Sequence, residues 1–255
     1  MRILSLFIAL CLISPTSEAS VSTPNSIDYF GTNKKAILMI HGFIGSPQTF
    51  GQLPAFLNKR GYSIHAPLLP KHGQDATHLE DLTKEEMMNF VETEYLALKA
   101  KYEEVIVIGF SLGGTLALML STKHPIDRMI LISPFFDTKY GLKIIPTENL
   151  LAFVSPVMRY ISMSDAQGGK VPNAYIQETL RLGKIAQESY RKAQIKELII
   201  IHGDNDQTAS LKPSKRLCEE LVDICKEFHL VESGGHMLLL DTGRDKATEI
   251  INKFI

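Results

Sequence analysis

The chain has 255 residues, of which 45% are hydrophobic, and its formal net charge at neutral pH is −1. This length is common for one α/β domain, so a second domain is not required. The near-neutral charge leaves no basic excess to neutralise phosphates, which argues against a nucleic-acid partner.

The first nineteen residues differ in composition from the rest of the chain. Arg2 precedes an apolar run of eleven residues, ILSLFIALCLI, and small residues follow up to Ala19. This order predicts a secretory signal peptide over residues 1–19, cut after Ala19, and therefore an exported protein, periplasmic or secreted. The run is short for a bilayer span, so no membrane span is expected after cleavage. The alternative is an uncleaved N-terminal membrane anchor.

A regular alternation of strand and helix patterns begins after a polar arm over residues 20–32. Short apolar or β-branched runs predict buried strands, whereas apolar residues spaced by three and four predict helices. Thr83 and Glu86 form a capping box for the longest of these helices. The predicted strands are 36–40, 62–66, 105–108 and 128–132, and the predicted helices are 47–60, 84–102 and 115–120.

The alternation stops over residues 137–190 and then resumes. This insertion contains two helical stretches, 148–161 and 174–187, and no strand pattern of its own. Repeated strand–helix units predict an α/β fold over residues 20–255, with a mostly parallel, doubly wound sheet covered on both faces. The insertion is expected to form a helical cap at the carboxyl ends of the strands, where such sheets bind ligands. The later strands are expected at 198–201 and 226–231, and the later helices at 213–222 and from 245.

The third predicted strand leads into Gly109-Phe110-Ser111-Leu112-Gly113. This is G-x-S-x-G between a strand and a helix, the context of a nucleophile elbow. The residues two before and two after the serine must be small, and the helix N-terminus favours developing negative charge. Ser111 is therefore the predicted nucleophile, and the backbone N–H of Leu112 is a predicted oxyanion donor. The alternative is a glycine-rich turn with an incidental serine.

A serine nucleophile needs a base to take its proton and an acid to orient that base. Asp204 and Asp206 follow the next-to-last predicted strand, and His236 follows the last one. The order serine, aspartate, histidine is the one expected for this motif, so His236 is the predicted base. Asp137, which follows the fourth predicted strand, is a further candidate for the acid.

Four motifs occur in order along the chain: HGFIGSP at 41–47, GFSLGG at 109–114, HGDNDQTA at 202–209 and SGGHML at 233–238. Together they resemble the motifs of the α/β-hydrolases, and within that superfamily the small carboxylesterases and monoacylglycerol lipases of bacteria. The segment PLLPKHG at 67–73 is similar to a loop of the same family, with Lys71 where a glycine is common. The resemblance covers the chain from about residue 34 onward, apart from the insertion.

The resemblance implies an α/β-hydrolase fold and several roles in a serine hydrolase. It places the acid three residues after Gly203, which favours Asp206 and leaves Asp204 as a turn residue. It also implies that the backbone N–H of Phe43 is the second oxyanion donor. Thr208 and Ala209 follow the acid where valine is common, which is a departure from the family pattern.

The reaction expected from this resemblance is hydrolysis of carboxylic esters, with short to medium acyl chains or monoacylglycerols as small-molecule substrates. The stretch 148–161 is rich in apolar residues, so Phe153 and Met158 are candidates for an acyl-binding surface. The alternative is that this surface only packs on the main domain. A thioesterase or another acyl hydrolase would use the same three residues, because a fold does not set its substrate. A non-catalytic binding protein is the remaining alternative.

No cofactor and no metal are expected. His72 and His78 lie in predicted loops, and no carboxylates stand at the spacing of a known metal site. They are therefore interpreted as polar loop residues and not as metal ligands. Cys218 and Cys225 would be roughly 10 Å apart on one continuous helix, beyond the ~7 Å limit for a disulfide. A helix that ends near Asp223 would bring them closer, so the sequence leaves this pairing open, as it does the oligomeric state.

Overall fold

The computed structural model describes residues 25–139 and 171–255. The expected signal peptide lies outside the described residues, and so do residues 140–170, which include the apolar stretch 148–161 of the expected cap.

Seven strands form one sheet in the order β1-β3-β2-β4-β5-β6-β7. All neighbouring pairs are parallel except β1 and β3, which run antiparallel at one edge. The predicted mostly parallel sheet is therefore confirmed. The strands are β1 (Ile27–Tyr29), β2 (Lys35–Ile40), β3 (Ser63–Ala66), β4 (Glu104–Phe110), β5 (Ile126–Ile132), β6 (Ile195–Gly203) and β7 (Cys225–Val231).

Within residues 25–139 and 171–255, six α-helices lie between or after these strands. Thr83 caps the second helix through a complete capping box with Glu86, as predicted. In the described part of the chain, three short 3₁₀ segments lie in the connections: Pro47–Phe50, Ala76–Leu79 and Tyr190–Lys192. The α-helices are α1 (Leu53–Asn58), α2 (Lys84–Lys99), α3 (Leu112–Ser121), α4 (Asn173–Ser189), α5 (Leu211–Glu220) and α6 (Arg244–Phe254).

The central strands owe their position to continuous apolar runs. Residues 36–40 of β2 and 105–108 of β4 are completely buried. A run without polar alternation suits a strand covered on both faces, because neither face meets water. These two strands are neighbours in the middle of the sheet, and the loops after them are therefore adjacent.

Two elements differ from the sequence prediction. Residues 27–29, expected in an extended arm, form the antiparallel edge strand β1 against β3. The helix predicted over 47–60 is split into a 3₁₀ turn and α1, because Gly51 adopts a positive φ of 54° that a continuous helix does not allow.

Cys218 and Cys225 form a disulfide, with their Cα atoms 5.2 Å apart. Helix α5 ends at Glu220, and Cys225 is the first residue of β7. The chain therefore turns back between the two cysteines, and the separation of a continuous helix does not apply. The disulfide fastens α5 to the edge strand of the sheet.

Within residues 25–139 and 171–255, no helix combines the length and the apolar character needed to cross a bilayer.

Candidate active site

Ser111 lies at the sharp turn between β4 and α3. Its backbone has φ 52° and ψ −119°, a conformation that side-chain-bearing residues rarely adopt. Such a conformation costs on the order of 1–3 kcal/mol and persists only where the surroundings impose it. Here its N–H donates to the carbonyl of Ile132, and its carbonyl accepts from the N–H of Phe135. Both flanking peptides are thus tied to the end of β5.

The glycines on either side of this turn are required by close packing. A Cβ atom on Gly109 would come 2.5 Å from the carbonyl oxygen of Gly113. A Cβ atom on Gly113 would come 1.9 Å from the carbonyl oxygen of Ile40, in the neighbouring strand β2. Both distances are far inside van der Waals contact, which explains the G-x-S-x-G spacing in steric terms.

The structure brings Ser111, His236 and Asp206 into one hydrogen-bonded chain. The Nε2 atom of His236 lies 3.0 Å from Ser111 Oγ, and its Nδ1 atom lies 2.8 Å from Asp206 Oδ2. All three side chains are buried. These are the contacts that a nucleophile, a base and an orienting acid require.

Asp206 is held by donors on both of its oxygens. The backbone N–H groups of Thr208 and Ala209 donate to Oδ1 at 2.8 and 3.0 Å. Burial alone would raise the pKa of this carboxyl, but the imidazoles of His236 and His202 outweigh it and hold the pKa well below its usual range. Asp206 is therefore ionised at neutral pH. Because the loop donors are backbone groups, the departure from valine at 208–209 does not disturb the site.

His202 is a neighbour of Asp206 that the sequence analysis did not identify. Its ring is fully buried, and its Nε2 atom lies 3.1 Å from the same Oδ2 atom that His236 contacts. Neither ring nitrogen of His202 forms a hydrogen bond with this or another described residue, so the two side chains are in close contact without one. The spacing His-x-x-x-Asp at the end of a strand, in the motif HGDNDQTA, is the only sequence signal of this contact.

The other candidate carboxylates do not reach His236. Asp204 is exposed at the turn after β6. Asp137 accepts a hydrogen bond from the N–H of Thr138. Asp241 accepts from the N–H groups of Gly235 and Gly243, so it supports the loop that carries His236.

The two residues predicted as oxyanion donors both lie next to Ser111 or next to a residue in contact with it. Leu112 is the first residue of α3 and directly follows Ser111. Gly42, which precedes Phe43, is so close to the nucleophile that a Cβ atom on it would lie 3.1 Å from Ser111 Cβ. Among the described residues, none accepts a hydrogen bond from the backbone N–H of Phe43 or of Leu112.

The predictions for the acyl-binding residues and for His72 have different outcomes. Phe153 and Met158 lie outside the described residues. His72, interpreted as loop polarity, is instead buried and hydrogen-bonded in the PLLPKHG loop, where Lys71 has a positive φ of 63°. That backbone conformation explains why glycine is common at position 71. In the part of the chain that the structure describes, no cluster of His, Cys, Asp or Glu is arranged to hold a metal ion.

Comparison with protein families gives a match over most of the chain. Residues 37–248 match the model of the alpha/beta hydrolase family. The chain therefore belongs to the α/β-hydrolase family, in agreement with its sheet and its nucleophile elbow.

Individual relatives narrow this assignment. The chain is 24% identical over 250 residues to a carboxylesterase of Bacillus subtilis (strain 168), covering 92% of this chain and 97% of the relative. It is 26% identical over 218 residues to a thermostable monoacylglycerol lipase of Bacillus sp. (strain H-257), covering 84% and 79%. These relatives place the chain among the esterase- and lipase-type enzymes of the family.

A solved structure shows the same fold. The monoacylglycerol lipase of Paleococcus ferrophilus superimposes with a TM-score of 0.72 over 90% of this chain and 96% of that chain, at 17% identity.

The role of Asp206 is tested against a matched control, Asp204, which lies two residues earlier in the chain. Asp206→Asn should lower kcat on the order of 10³- to 10⁴-fold, because an amide cannot fix the His236 tautomer or stabilise its cation. Asp204→Asn makes the same chemical change at an exposed position of the same turn and should leave kcat nearly unchanged. Steady-state kinetics on a soluble ester measures both. Equal losses, or a larger loss for Asp137→Asn, would assign the acid elsewhere.

Proposed function

We propose that this chain is a serine ester hydrolase that cleaves carboxylic esters through an acyl-enzyme on Ser111. The observation that carries this proposal is the hydrogen-bonded chain from Ser111 through His236 to Asp206, at 3.0 and 2.8 Å, on a strained strand-to-helix turn. Every group that the proposed chemistry needs is a side chain or a backbone N–H of this chain, so the proposal includes no metal and no cofactor.

In the first half-reaction His236 Nε2 takes the proton of Ser111 Oγ as that oxygen bonds to the ester carbonyl carbon. The carbonyl π-electron pair moves to oxygen, and the N–H groups of Phe43 and Leu112 donate to the resulting oxyanion. Asp206 stabilises the imidazolium. The tetrahedral intermediate then collapses, the bond to the alcohol oxygen breaks, and His236 returns the proton to that oxygen.

In the second half-reaction water takes the place of the alcohol. His236 removes a proton from the water as its oxygen bonds to the acyl carbon. The same two N–H groups stabilise the second oxyanion, and the proton passes to Ser111 Oγ as the carboxylic acid leaves. The enzyme returns to its starting state with no net change in protonation.

The proposed substrates are esters of short to medium acyl chains or monoacylglycerols. Two observations support this class: the relatives are a carboxylesterase and a monoacylglycerol lipase, and the stretch 148–161 has the apolar composition of an acyl-binding surface. A thioester would be attacked by the same groups. Parallel assays with an oxygen ester and a thioester of the same acyl chain distinguish the two activities.

We also propose that the protein is exported. The signal-like segment 1–19 supports this, and so does the disulfide between Cys218 and Cys225, because disulfides persist in oxidising compartments and are rare in the cytoplasm. In such a compartment the enzyme would meet esters from outside the cell.

The nucleophile is tested with Ser111→Ala and a fluorophosphonate probe. This variant should fold normally and lose turnover on the order of 10⁶-fold, and the probe should label the wild type at Ser111 alone. Ser133→Ala is a matched control, since Ser133 is also buried, has a positive φ of 43° and follows the adjacent strand β5. It should still be labelled. Labelling that persists in Ser111→Ala would refute the assignment.

The acyl-binding role of 148–161 is tested with a series of p-nitrophenyl esters. Each methylene that becomes buried contributes about 0.8 kcal/mol, so kcat/KM should rise about fourfold per methylene until the site is full. Phe153→Ser or Met158→Gln should flatten this rise and leave acetate hydrolysis nearly unchanged. Leu96→Gln, on the exposed side of α2, is the control for a polar substitution elsewhere. An equal loss on all chain lengths would show that 153 and 158 only hold local structure.

Export is tested by N-terminal sequencing and thiol titration of protein from fractionated cells. The expected result is a mature N-terminus at Ser20 in the exported fraction, with no titratable thiol until a reductant is added. A cytosolic protein that retains Met1 would contradict the proposal.

A further inference from the structure

The carbonyl group of Phe43 faces two side chains from distant parts of the chain. The hydroxyl of Tyr175, in α4, donates to this carbonyl oxygen at 2.6 Å. The Nε2 atom of His72, in the PLLPKHG loop, lies within hydrogen-bond reach of the same oxygen and 3.1 Å from the Tyr175 hydroxyl. The Nδ1 atom of His72 lies 2.9 Å from the carbonyl oxygen of Pro70. Burial lowers the pKa of His72, so its ring is neutral and donates to only one of these two carbonyl groups.

Burial and a ring stack fix the position of the Tyr175 hydroxyl. Its side chain is completely buried, and its ring stacks on the ring of Phe43 with the centroids 4.9 Å apart and the planes 3° from parallel. Burial raises the pKa of Tyr175, so its hydroxyl stays protonated and remains a donor.

The helix that carries Tyr175 is firmly attached to the main domain. Glu178 of α4 accepts a hydrogen bond from the N–H of Lys84 at 2.9 Å, and Gln187 donates to the carbonyl of Phe136 at 2.8 Å. At Gly183 the helix approaches Phe136 so closely that a Cβ atom would lie 2.6 Å from its carbonyl oxygen. The position of Tyr175 is therefore fixed relative to the main domain.

The peptide on the other side of Phe43 is fixed as well. The carbonyl of Gly42 accepts from the N–H of Gly45 at 3.2 Å and faces His41 Nδ1 at 3.0 Å. His41 Nε2 accepts from the N–H of Leu69, so the ring proton is on Nδ1 and is donated to Gly42. Burial lowers the pKa of His41, which keeps the ring in this neutral form.

These contacts together define the orientation of one N–H group. A residue has only two soft backbone dihedrals, so fixing the peptides on both sides of Phe43 fixes its φ and ψ. An oxyanion donor acts by being oriented before the charge develops, so such fixing contributes directly to the rate.

We propose that Tyr175 is a positioning residue, which holds the Phe43 carbonyl and so aims the Phe43 N–H at the oxyanion formed over Ser111. This inference rests on the proposed ester hydrolysis. It makes α4, the second helical stretch of the insertion 137–190, part of the machinery that orders the oxyanion hole.

The test removes one hydroxyl and keeps the ring stack. In the full-length protein, Tyr175→Phe should lower kcat about tenfold, less than the loss of a whole oxyanion donor, with KM little changed. The inhibition constant of a trifluoromethyl ketone, whose Ser111 adduct carries the oxyanion, should rise by a similar factor. A role in stability alone would not produce this split.

Tyr95→Phe is the matched control. Tyr95 is also buried, and its hydroxyl donates to the carbonyl of Pro125 at 2.7 Å, on an element away from the site. Both variants lose a buried hydrogen bond to a backbone carbonyl and should show similar decreases in melting temperature. Only Tyr175→Phe should lose kcat.

Wild-type kcat in a folded Tyr175→Phe, or equal losses in Tyr175→Phe and Tyr95→Phe, would overturn the positioning role. If that happened while Ser111→Ala still abolished turnover, the ester hydrolase would stand without this inference. A wild type with no Ser111-dependent turnover would overturn both.

Discussion

The candidate site depends on the backbone conformation of Ser111. With φ at 52°, this residue reverses the chain between β4 and α3 within one position, and its hydroxyl meets His236 at 3.0 Å. The conformation is unfavourable by itself, and the close packing of Gly109 and Gly113 leaves the chain no other path. The burial of the central strands stabilises the turn, because the ends of β4 and β5 cannot move apart without exposing their apolar runs.

The parallel sheet then determines which groups surround Ser111. In a parallel sheet the carboxyl ends of neighbouring strands lie at the same edge. Here β2 leads to the loop with Phe43, β4 to Ser111, β6 to Asp206 and β7 to the loop with His236. Groups separated by more than a hundred residues of chain are thus brought within hydrogen-bond distance by strand order alone.

The sequence predicts those elements whose pattern is contained in a short stretch of neighbouring residues. The elbow around Ser111 has its own spacing, and the buried strands have continuous apolar runs, so both were predicted correctly. Strand β1 was not, because three half-exposed residues at 27–29 carry no pattern and pair only through contact with β3. The contact of Tyr175 with Phe43 spans 132 residues, and no periodicity marks either partner.

The disulfide and the position of His202 were only partly predictable from the sequence. The disulfide depended on where α5 ends, and helix ends are poorly defined by sequence, so the pairing of Cys218 and Cys225 stayed open until the structure placed them. His202 carries the same signal as any histidine before a glycine at a strand end. The chain turns after β6, and this turn brings Asp206 back to His202, which lies four residues earlier.

The central claim is that Ser111, with the N–H groups of Phe43 and Leu112, forms a site for a tetrahedral oxyanion. A crystal structure of the protein after reaction with a p-nitrophenyl alkylphosphonate tests it most directly. The account predicts phosphorus bonded to Ser111 Oγ and the phosphoryl oxygen about 3 Å from the backbone nitrogens of both Phe43 and Leu112. Phosphorus on another residue, or a phosphoryl oxygen directed away from both nitrogens, would contradict it.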